Sequence, residues 1–290
     1  MDLRRKLDEL FAIYSLEPAL RDIYVEGTAD KSFVEWFLHK SGRANVTVYP
    51  INLIEIPDDI IQGHGLPVGS HRSAVIALAA ELEARCPDVL NVLCVADRDS
   101  EDYVPAAPAS EYLLLTECNS LELYGFTPES VRKFLLVGLG GFAISAERLI
   151  EILTAVVSRV YALRLANEML HWRMEWLSVR KYVKVKGQEI EFNEQRFIRA
   201  YLQKNNRWHE RDAFAGKVRE VRGILSSDTR RRMRGHDVSE LLLVVLRAKR
   251  RERAIRNAET LEGCLLAASE YQDLKGLGFF QRILTVTDGQ

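Results

Sequence analysis

Cysteine is scarce in this sequence, with four residues in 290 and no C-x-x-C pair among them. That spacing disfavours a zinc site or a dithiol redox centre. Reduced thiols are typical of the cytoplasm, so we expect a cytoplasmic protein. Cys94 falls in an apolar segment, where a free thiol behaves as a small hydrophobic side chain.

Long apolar runs are also missing. No segment approaches the roughly 20 consecutive apolar residues that a membrane-spanning helix requires, and we expect no membrane association. The first residues lack the apolar core of a secretory signal and instead place Leu3, Leu7, Leu10 and Tyr14 on one side of a predicted helix. The P-loop pattern G-x-x-x-x-G-K-[ST] is absent from the sequence, which excludes ATP binding of that kind.

The net charge of −1 conceals an uneven distribution of charge. Residues 1–150 contain 13 Lys and Arg against 23 Asp and Glu, a balance of −10, whereas residues 151–290 contain 27 against 18, a balance of +9. An acidic half joined to a basic half suits an enzyme that acts on a polyanion. The alternative is two solvated surfaces that attract each other, because charge asymmetry alone specifies no ligand.

The first part of the chain alternates strand and helix patterns, which predicts a mostly parallel sheet flanked by helices. Ser70 is the predicted N-cap of the second helix. Predicted strands cover 22–26, 46–53, 89–96 and 112–116, and predicted helices cover 30–40 and 71–85.

The second part is mainly helical, with one β-hairpin predicted at 182–192 around Gly187. Thr127 and Pro128 fit the N-cap and first turn of a helix. Further helices are predicted at 145–176, 193–204, 211–225, 238–251 and 258–269. We therefore expect an α/β fold with a catalytic domain at 1–130, which includes the N-terminal helix, and a basic helical domain at 131–290.

Acidic residues follow the predicted strands. Glu26 ends the first strand, Asp97 and Asp99 follow the third, and Glu117 and Glu122 follow the fourth. Carboxylates gathered at one edge of a sheet repel each other unless a cation lies between them. Mg²⁺ prefers such oxygen ligands, with waters completing its shell. The pattern therefore predicts metal-assisted phosphate chemistry.

Roles can be assigned residue by residue. In an extended segment Asp97 and Asp99 would point to the same side and hold one or two ions. Glu26 would bind a second ion or act as general base toward water. Gly27 would allow a tight turn and a close approach of the backbone to phosphate. Asp30 fits a helix cap better than a direct ligand.

Four ordered motifs carry a family resemblance. They are 25–33 (VEGTADKSF), 96–99 (ADRD), 120–124 (SLELY) and 235–238 (GHDV). The first two resemble the Toprim pattern of topoisomerases, bacterial primases and small nucleases. The whole series resembles a Toprim-like family of unknown function, and most of all the AriB family of effectors from the PARIS anti-phage system.

This resemblance implies a Toprim fold and an endonuclease that requires Mg²⁺ or Mn²⁺. It implies Glu122 as a further metal ligand and a supporting role for His236 and Asp237. It also implies an abortive-infection toxin that cleaves tRNA, an ABC-type ATPase partner in trans that holds it inactive until a phage trigger, and an active homodimer. From the residues alone, Glu122 could equally be an exposed helical carboxylate and Asp237 a helix N-cap.

Basic residues are candidates for nucleic-acid contact. His71 and Arg72 begin a predicted helix, whose N-terminus attracts phosphate. Trp208 could stack on an unpaired base beside His209, whereas Trp172 and Trp176 are expected in the core of one long helix. The alternative for the basic residues is a solvated face or an interface with an acidic protein. The candidates are Lys184, Lys186, Arg230, Arg231, Arg232 and Arg234, with a second run at Arg247, Lys249, Arg250, Arg251 and Arg253.

Two other functions remain open. A non-catalytic Toprim-like module of an ATPase complex would not need Glu26, Asp97 and Asp99 together. A metal-dependent phosphotransfer enzyme would use the same carboxylates on a small phosphoester. RNA and DNA cannot be told apart from these residues.

Overall fold

The protein is described here by a computed structural model that covers residues 4–89, 91–249, 255 and 257–287. It divides into two compact units, Met1–Glu117 together with Glu270–Gln290, and Cys118–Ser269. We had placed the division at 130/131 and all later residues in the second domain. The structure instead begins the second unit at Cys118 and returns the last helices to the first.

The first unit is built on a parallel four-stranded sheet. Its order is β3-β2-β5-β6, so the two central strands, β2 and β5, lie side by side. Tyr24 of β2 pairs with Cys94 of β5 in this register. The strands are β2 (Asp22–Val25), β3 (Thr47–Pro50), β5 (Val92–Ala96) and β6 (Leu113–Leu115), and a separate parallel pair joins β1 (Arg5–Lys6) to β4 (Ile54–Glu55).

Helices flank this sheet. The central strands β2 and β5 are buried along their whole length, as expected for strands that are covered on both faces. Tyr24, Cys94 and Ala96 belong to a core cluster that includes residues of two helices, α1 and α4. Ser70 caps α4 by accepting a hydrogen bond from Ser73 N, as predicted. The helices of this unit are α1 (Leu7–Leu16), α2 (Thr28–Lys40), α3 (Asp58–Gly63), α4 (His71–Arg85), α11 (Tyr271–Leu274) and α12 (Gly278–Thr287).

The C-terminal helices belong to the first unit because their aromatic side chains pack against α2. Phe280 of α12 packs against Phe37 of α2, with ring centroids 4.5 Å apart, and meets Phe33 at 6.1 Å. Tyr271 adds a further contact to Phe37 at 5.2 Å. These rings bury one face of α2.

The second unit is mainly helical. Its longest helix is α6, and Ser145 caps it by accepting a hydrogen bond from Arg148 N. The helices are α5 (Pro128–Lys133), α6 (Ala146–Met169), α7 (Glu194–Lys204), α8 (Arg211–Ile224), α9 (Gly235–Ala248) and α10 (Ala258–Ala267). The predicted helix at 238–251 corresponds to α9, but positions 250 and 251 lie outside the described residues, as does Leu3 of the predicted N-terminal helix.

The prediction of one helix over 145–176 is wrong at its C-terminal end. The helix stops at Met169, and His171 and Arg173 adopt left-handed backbone angles with φ of 53° and 50°. Trp172 and Trp176 therefore lie after the helix. Trp176 packs against Phe197, at 5.1 Å between ring centroids, but is only partly buried.

The β-hairpin is present as predicted. Strand β7 (Val183–Lys186) pairs antiparallel with β8 (Glu189–Phe192), and Gly187 takes the left-handed conformation at the turn, with φ of 57°. The architecture is therefore the expected α/β fold, with a mostly parallel sheet flanked by helices, a helical C-terminal region and one antiparallel hairpin. Within the described ranges, no helix is both long enough and apolar enough to span a bilayer.

Candidate metal site at the carboxyl edge of the sheet

Glu26 lies at the carboxyl end of β2, next to the end of β5. Its Oε1 accepts a hydrogen bond of 2.8 Å from the main-chain N–H of Asp97. This bond follows from the parallel pairing of β2 with β5, since each residue comes directly after its strand. The structure thus brings together two of the predicted site residues, 71 positions apart in sequence.

The carboxyl of Glu26 is in an environment that disfavours its charge. Burial raises its pKa to about 7, the hydrogen bond from Asp97 opposes that rise, and the negative charges of Asp99 and Asp30 add to it. Arg72 acts in the opposite direction. Glu26, Asp97 and Asp99, which we call the acidic edge, therefore form a group that a cation would stabilise.

Asp97 and Asp99 lie on a turn instead of an extended strand. Strand β5 ends at Ala96, and Asp99 has a φ of 51°, in the left-handed region. We expected the two side chains to point to the same side because they would lie in an extended segment. That segment is not extended, so the expectation is wrong. Aspartate tolerates left-handed angles better than most residues, which is why the turn forms without glycine.

Arg72 holds this turn in place. Its Nε donates to the carbonyl oxygen of Asp97 at 2.7 Å and lies 3.8 Å from Oδ2 of Asp99. Its Nη2 donates to Oε2 of Glu101 at 2.6 Å. We predicted Arg72 as a substrate contact, but its guanidinium is engaged by the protein, so the structure corrects that role to positioning. His71 is exposed at the first turn of α4, and its contact with nucleic acid stays a prediction.

Glu101 was not identified from the sequence, although it anchors the same turn. Besides Arg72, it accepts hydrogen bonds from the main-chain N–H groups of Ala106 and Ala107. Burial raises the pKa of Glu101, but these bonds and the charge of Arg72 outweigh burial and lower it. The lowered pKa of Glu101 favours its ionised form, which pairs with the guanidinium of Arg72, and no local pattern in the sequence indicated this pairing.

Arg98, between the two aspartates, points to a different partner. Its Nε donates to the carbonyl oxygen of Thr116 at 2.8 Å, and its main-chain N–H donates to Thr116 Oγ1 at 3.0 Å. Its Nη1 pairs with Asp102 at 2.9 Å. The turn is therefore secured to the end of β6 as well as to α4.

Gly27 and Asp30 form the start of α2. Oδ2 of Asp30 accepts a hydrogen bond of 2.9 Å from Gly27 N, which supports the predicted capping role. Gly27 has a φ of −142°, which is extended backbone open to any residue. The prediction that Gly27 is needed to form a tight turn is therefore wrong. Its lack of a side chain leaves space beside the acidic edge.

Glu117 takes no part in the acidic edge. Its Oε1 accepts a hydrogen bond of 3.1 Å from the main-chain N–H of Phe279, at the start of α12. A Cβ on Gly278 would approach the same oxygen to 2.8 Å. Glu117 therefore holds the returning C-terminal helix on the first unit.

Glu122 belongs to the second unit, in a short 3₁₀ segment (Leu121–Gly125). Burial raises its pKa, Ser120 lowers it, and Glu262 raises it further. No hydrogen-bond partner for its buried Oε2 is found among the residues that the structure describes. It is thus not the exposed helical carboxylate that was the alternative, and its role as a metal ligand stays a prediction.

Asp237 is a structural residue in this arrangement. It is 3% exposed and accepts two hydrogen bonds from Arg164, at 2.9 and 2.8 Å. The same guanidinium lies 4.0 Å from the ring centroid of Trp176. Since α9 begins at Gly235, Asp237 is inside the first turn and is not its N-cap. The structure shows a buried ion pair, and the predicted supporting role of Asp237 at a catalytic site stays a prediction.

His236 lies on the surface of the second unit. Its Nδ1 is 3.2 Å from Oε1 of Glu262, and the hydrogen bond to Glu262 raises its pKa. Burial lowers the pKa, and the charges of Glu262, Glu240 and Asp237 raise it further. His236 is therefore held as an imidazolium to higher pH than a free histidine, in a predicted supporting role that stays a prediction.

The predicted arginine cluster is less exposed than expected. Arg230, Arg231, Arg232 and Arg234 are all partly buried. Arg230 is bound to Asp228, and its carbonyl oxygen accepts a hydrogen bond from Asn119 N at 3.1 Å. Their contact with nucleic acid stays a prediction.

The remaining basic candidates have varied surroundings. Lys184 and Lys186 are exposed on β7, and Lys186 pairs with Glu191 at 2.8 Å. Trp208 has guanidinium groups of Arg199 and Arg211 at 5.7 and 5.5 Å from its ring centroid. Lys249 donates to the carbonyl oxygen of Gly187. The predicted basic residues Arg250, Arg251 and Arg253 lie outside the described residues.

The acidic edge is not an assembled cage for a metal ion. No group of three His, Cys, Asp or Glu side chains in the described part of the chain is placed to hold one ion. Mg²⁺, however, is usually bound through one or two carboxylates and keeps several waters or substrate phosphates. Glu26 and the neighbouring Asp99, whose charge adds to the effect of burial on the pKa of Glu26, supply oxygen ligands of this kind, so the residues present fit such a cation.

Comparison with known proteins leaves the family assignment open. No model of a known protein family matches the chain, and no curated protein matches it. The resemblance to Toprim effectors therefore depends on the motifs alone.

Proposed function

We propose that this protein is a Mg²⁺- or Mn²⁺-dependent nuclease of the Toprim kind. The observation that carries the proposal is the hydrogen bond from Asp97 N to Glu26 Oε1, which joins the carboxyl end of β2 to the residue that follows β5, with Asp99 two positions further along the chain. In open α/β sheets, ligands bind at the carboxyl ends of the strands. The four ordered motifs, and not the fold, narrow the activity to the AriB-like effectors.

Asp97 and Asp99 would hold the cation, with Glu26 adding a third charge at the same edge. When bound, the cation would neutralise phosphate charge and activate water for attack on the phosphodiester. The protein itself supplies a rigid turn. Arg72 and Glu101 fix the backbone that carries both aspartates, so the carboxylates are positioned before substrate arrives.

The biological setting of the proposal comes from the motif resemblance. We propose a cytoplasmic toxin that cleaves tRNA during anti-phage defence. An ABC-type ATPase partner would hold it inactive until a phage trigger releases it as a homodimer. The lack of a P-loop in this sequence is consistent with an ATPase that acts in trans.

Cleavage by the isolated chain tests the proposal, because no partner is then present to restrain it. The substrates are labelled tRNA, single-stranded RNA, single-stranded DNA and duplex DNA, each with Mg²⁺, Mn²⁺ or EDTA. We expect cleavage only with metal, restored by Mg²⁺ after EDTA. Glu26→Gln and Asp97→Asn should each lose about 100-fold or more of the rate. Asp88→Asn, an exposed acid before β5, is the matched control.

Each alternative function has its own outcome in this assay. Faster turnover of p-nitrophenyl phosphate than of any polynucleotide would indicate a phosphotransfer enzyme. No turnover of either substrate in the presence of metal would support a non-catalytic module. Full nuclease activity in Glu26→Gln or in excess chelator would contradict the proposal.

A further inference from the structure

The second unit contains a basic groove of about 490 Å³ between the β-hairpin and the start of α7. We call it the hairpin groove. Five cationic side chains line it against two acidic ones. The cations are Arg159, Lys181, Lys184, Lys186 and Arg196, and the acids are Glu191 and Glu194.

Both acids of the hairpin groove already have cationic partners. Glu191 pairs with Lys186 at 2.8 Å, and Glu194 pairs with Arg159 at 2.8 Å and with Arg222 at 2.7 Å. Three exposed cations in the groove, Lys181, Lys184 and Arg196, form no ion pair with any carboxylate in the described ranges. The groove therefore has a positive charge that the protein itself does not neutralise.

The scaffold of the groove is well defined. Val183 of β7 pairs with Phe192 of β8, and both side chains are buried. Because side chains alternate along a strand, Lys184 lies on the opposite, exposed face of the hairpin. The lysine is thus presented to solvent by a strand that is packed on its other side.

Aromatic rings in the groove are already covered by arginines. The guanidinium of Arg196 lies 5.8 Å from the ring centroid of Tyr182, and that of Arg159 lies 5.2 Å from Phe192. Phe197 contacts Tyr182 edge-on at 5.2 Å. Each ring therefore has a guanidinium on one side, and positive charge is the main feature that the groove offers to a ligand.

We infer that the hairpin groove binds the sugar–phosphate backbone of a nucleic-acid strand through Lys181, Lys184 and Arg196. This inference deepens the proposed function and depends on it, because it names a contact site for the same substrate class. Recognition by charge without base stacking predicts binding that is independent of sequence and strongly dependent on salt. Lys181, which follows Arg180, and Arg196 were not identified from the sequence, because no local pattern shows that they line the same groove.

The test measures binding without cleavage. Fluorescence anisotropy of labelled single-stranded RNA and DNA is recorded with the full chain in EDTA, at several salt concentrations. The variant Lys181→Ala, Lys184→Ala, Arg196→Ala should bind at least about tenfold more weakly at low salt. Its slope of log K against log salt should fall by about 2, since each contact on a single strand contributes roughly 0.7.

A matched control removes three charges elsewhere in the same unit. Arg132→Ala, Lys204→Ala, Lys217→Ala changes net charge equally at three residues already paired with Glu147, Glu175 and Glu220. We expect its affinity and salt slope to stay at wild-type values. Thermal melting of both triple variants verifies that each is folded before binding is compared.

The outcomes separate this inference from the proposed function. Unchanged affinity and slope in the groove variant would overturn the inference, whether or not the wild type cleaves nucleic acid. Binding of polyglutamate but not of oligonucleotide, lost in the groove variant, would overturn it in favour of an acidic protein partner. The nuclease proposal would fail in a different way. In that case the wild type would bind oligonucleotide through the groove but would not cleave it.

Discussion

Oε1 of Glu26 accepts a 2.8 Å hydrogen bond from the main-chain N–H of Asp97, which joins the ends of two adjacent parallel strands. The bond uses one carboxylate oxygen of Glu26 and fixes the backbone from which Asp97 projects. Glu26 therefore contributes charge to the acidic edge and also determines where that edge lies. The structure links the two roles in one side chain.

Substitution of Arg72 tests whether it positions the turn or touches substrate. Arg72→Ala removes the donors to Asp97 O and Glu101, so the turn loses its support from α4. We expect kcat to fall about 10- to 100-fold, with KM for an oligonucleotide nearly unchanged. Steady-state cleavage kinetics measure both quantities. A rise in KM with kcat unchanged would mean that Arg72 contacts substrate, and Arg85→Ala, at the exposed end of the same helix, is the control.

Two glycines offer a matched pair for stability. A Cβ on Gly235 would come within 2.7 Å of Glu122 Oε2 and 2.8 Å of Ser120 Oγ. A Cβ on Gly27 would meet its nearest atom, Asp30 Oδ2, at 3.6 Å, and its φ suits any residue. Gly235→Ala should therefore lower the free energy of unfolding by about 1–3 kcal/mol, whereas Gly27→Ala should change it by less than about 1 kcal/mol. Urea titration measures both values, and the reverse order would contradict the packing described.

Much of the local structure in both units could be predicted from the sequence. Helix α4 has the predicted bounds because Ser70 caps it, and the central strands are apolar enough to be covered on both faces. The hairpin followed from alternation around Gly187. These features are local, so each one leaves its pattern in neighbouring residues.

The missed features depend on residues far apart in sequence. The packing of Phe280 on Phe37 could not be predicted, since an apolar helix face does not show which surface it covers. Likewise the left-handed backbone of Asp99 depends on bonds to its turn from Arg72 and Thr116, which lie on other elements. Glu101 was not predicted as a site residue, because no residue near it in sequence indicates that it pairs with Arg72.

The pH dependence of stability should reveal the buried carboxyl of Asp22. Burial raises its pKa, and the hydroxyl of Tyr14 donates to it at 2.9 Å. A raised pKa means that the folded state keeps the proton longer than the unfolded state. The stability from this proton is complete below the ordinary pKa of about 3.9 and is lost as pH rises through the folded pKa.

Asp22→Asn removes this titration and keeps an acceptor for Tyr14. We expect the variant and the wild type to have similar free energies of unfolding near pH 3.5. As pH rises, the free energy of unfolding of the variant should increase relative to that of the wild type. Urea unfolding at a series of pH values measures the difference. A wild type that gains relative to the variant with rising pH would contradict the assigned direction of the shift.

The ion pair of Asp237 with Arg164 gives a prediction that separates structure from catalysis. Asp237→Ala leaves the guanidinium of Arg164 without its buried partner, so we expect a loss of about 3–5 kcal/mol in unfolding free energy. The melting temperature should fall accordingly. A variant of wild-type stability that has lost nuclease activity would instead place Asp237 at the catalytic site.

Direct measurement of Mn²⁺ binding tests the central claim, that the acidic edge holds a divalent cation. Isothermal titration of metal-free protein should show saturable binding for the wild type and for the control Asp88→Asn. Glu26→Gln and Asp99→Asn should each weaken that binding about tenfold or more. Equal Mn²⁺ affinity in all four proteins, or no saturable binding by the wild type, would contradict the account.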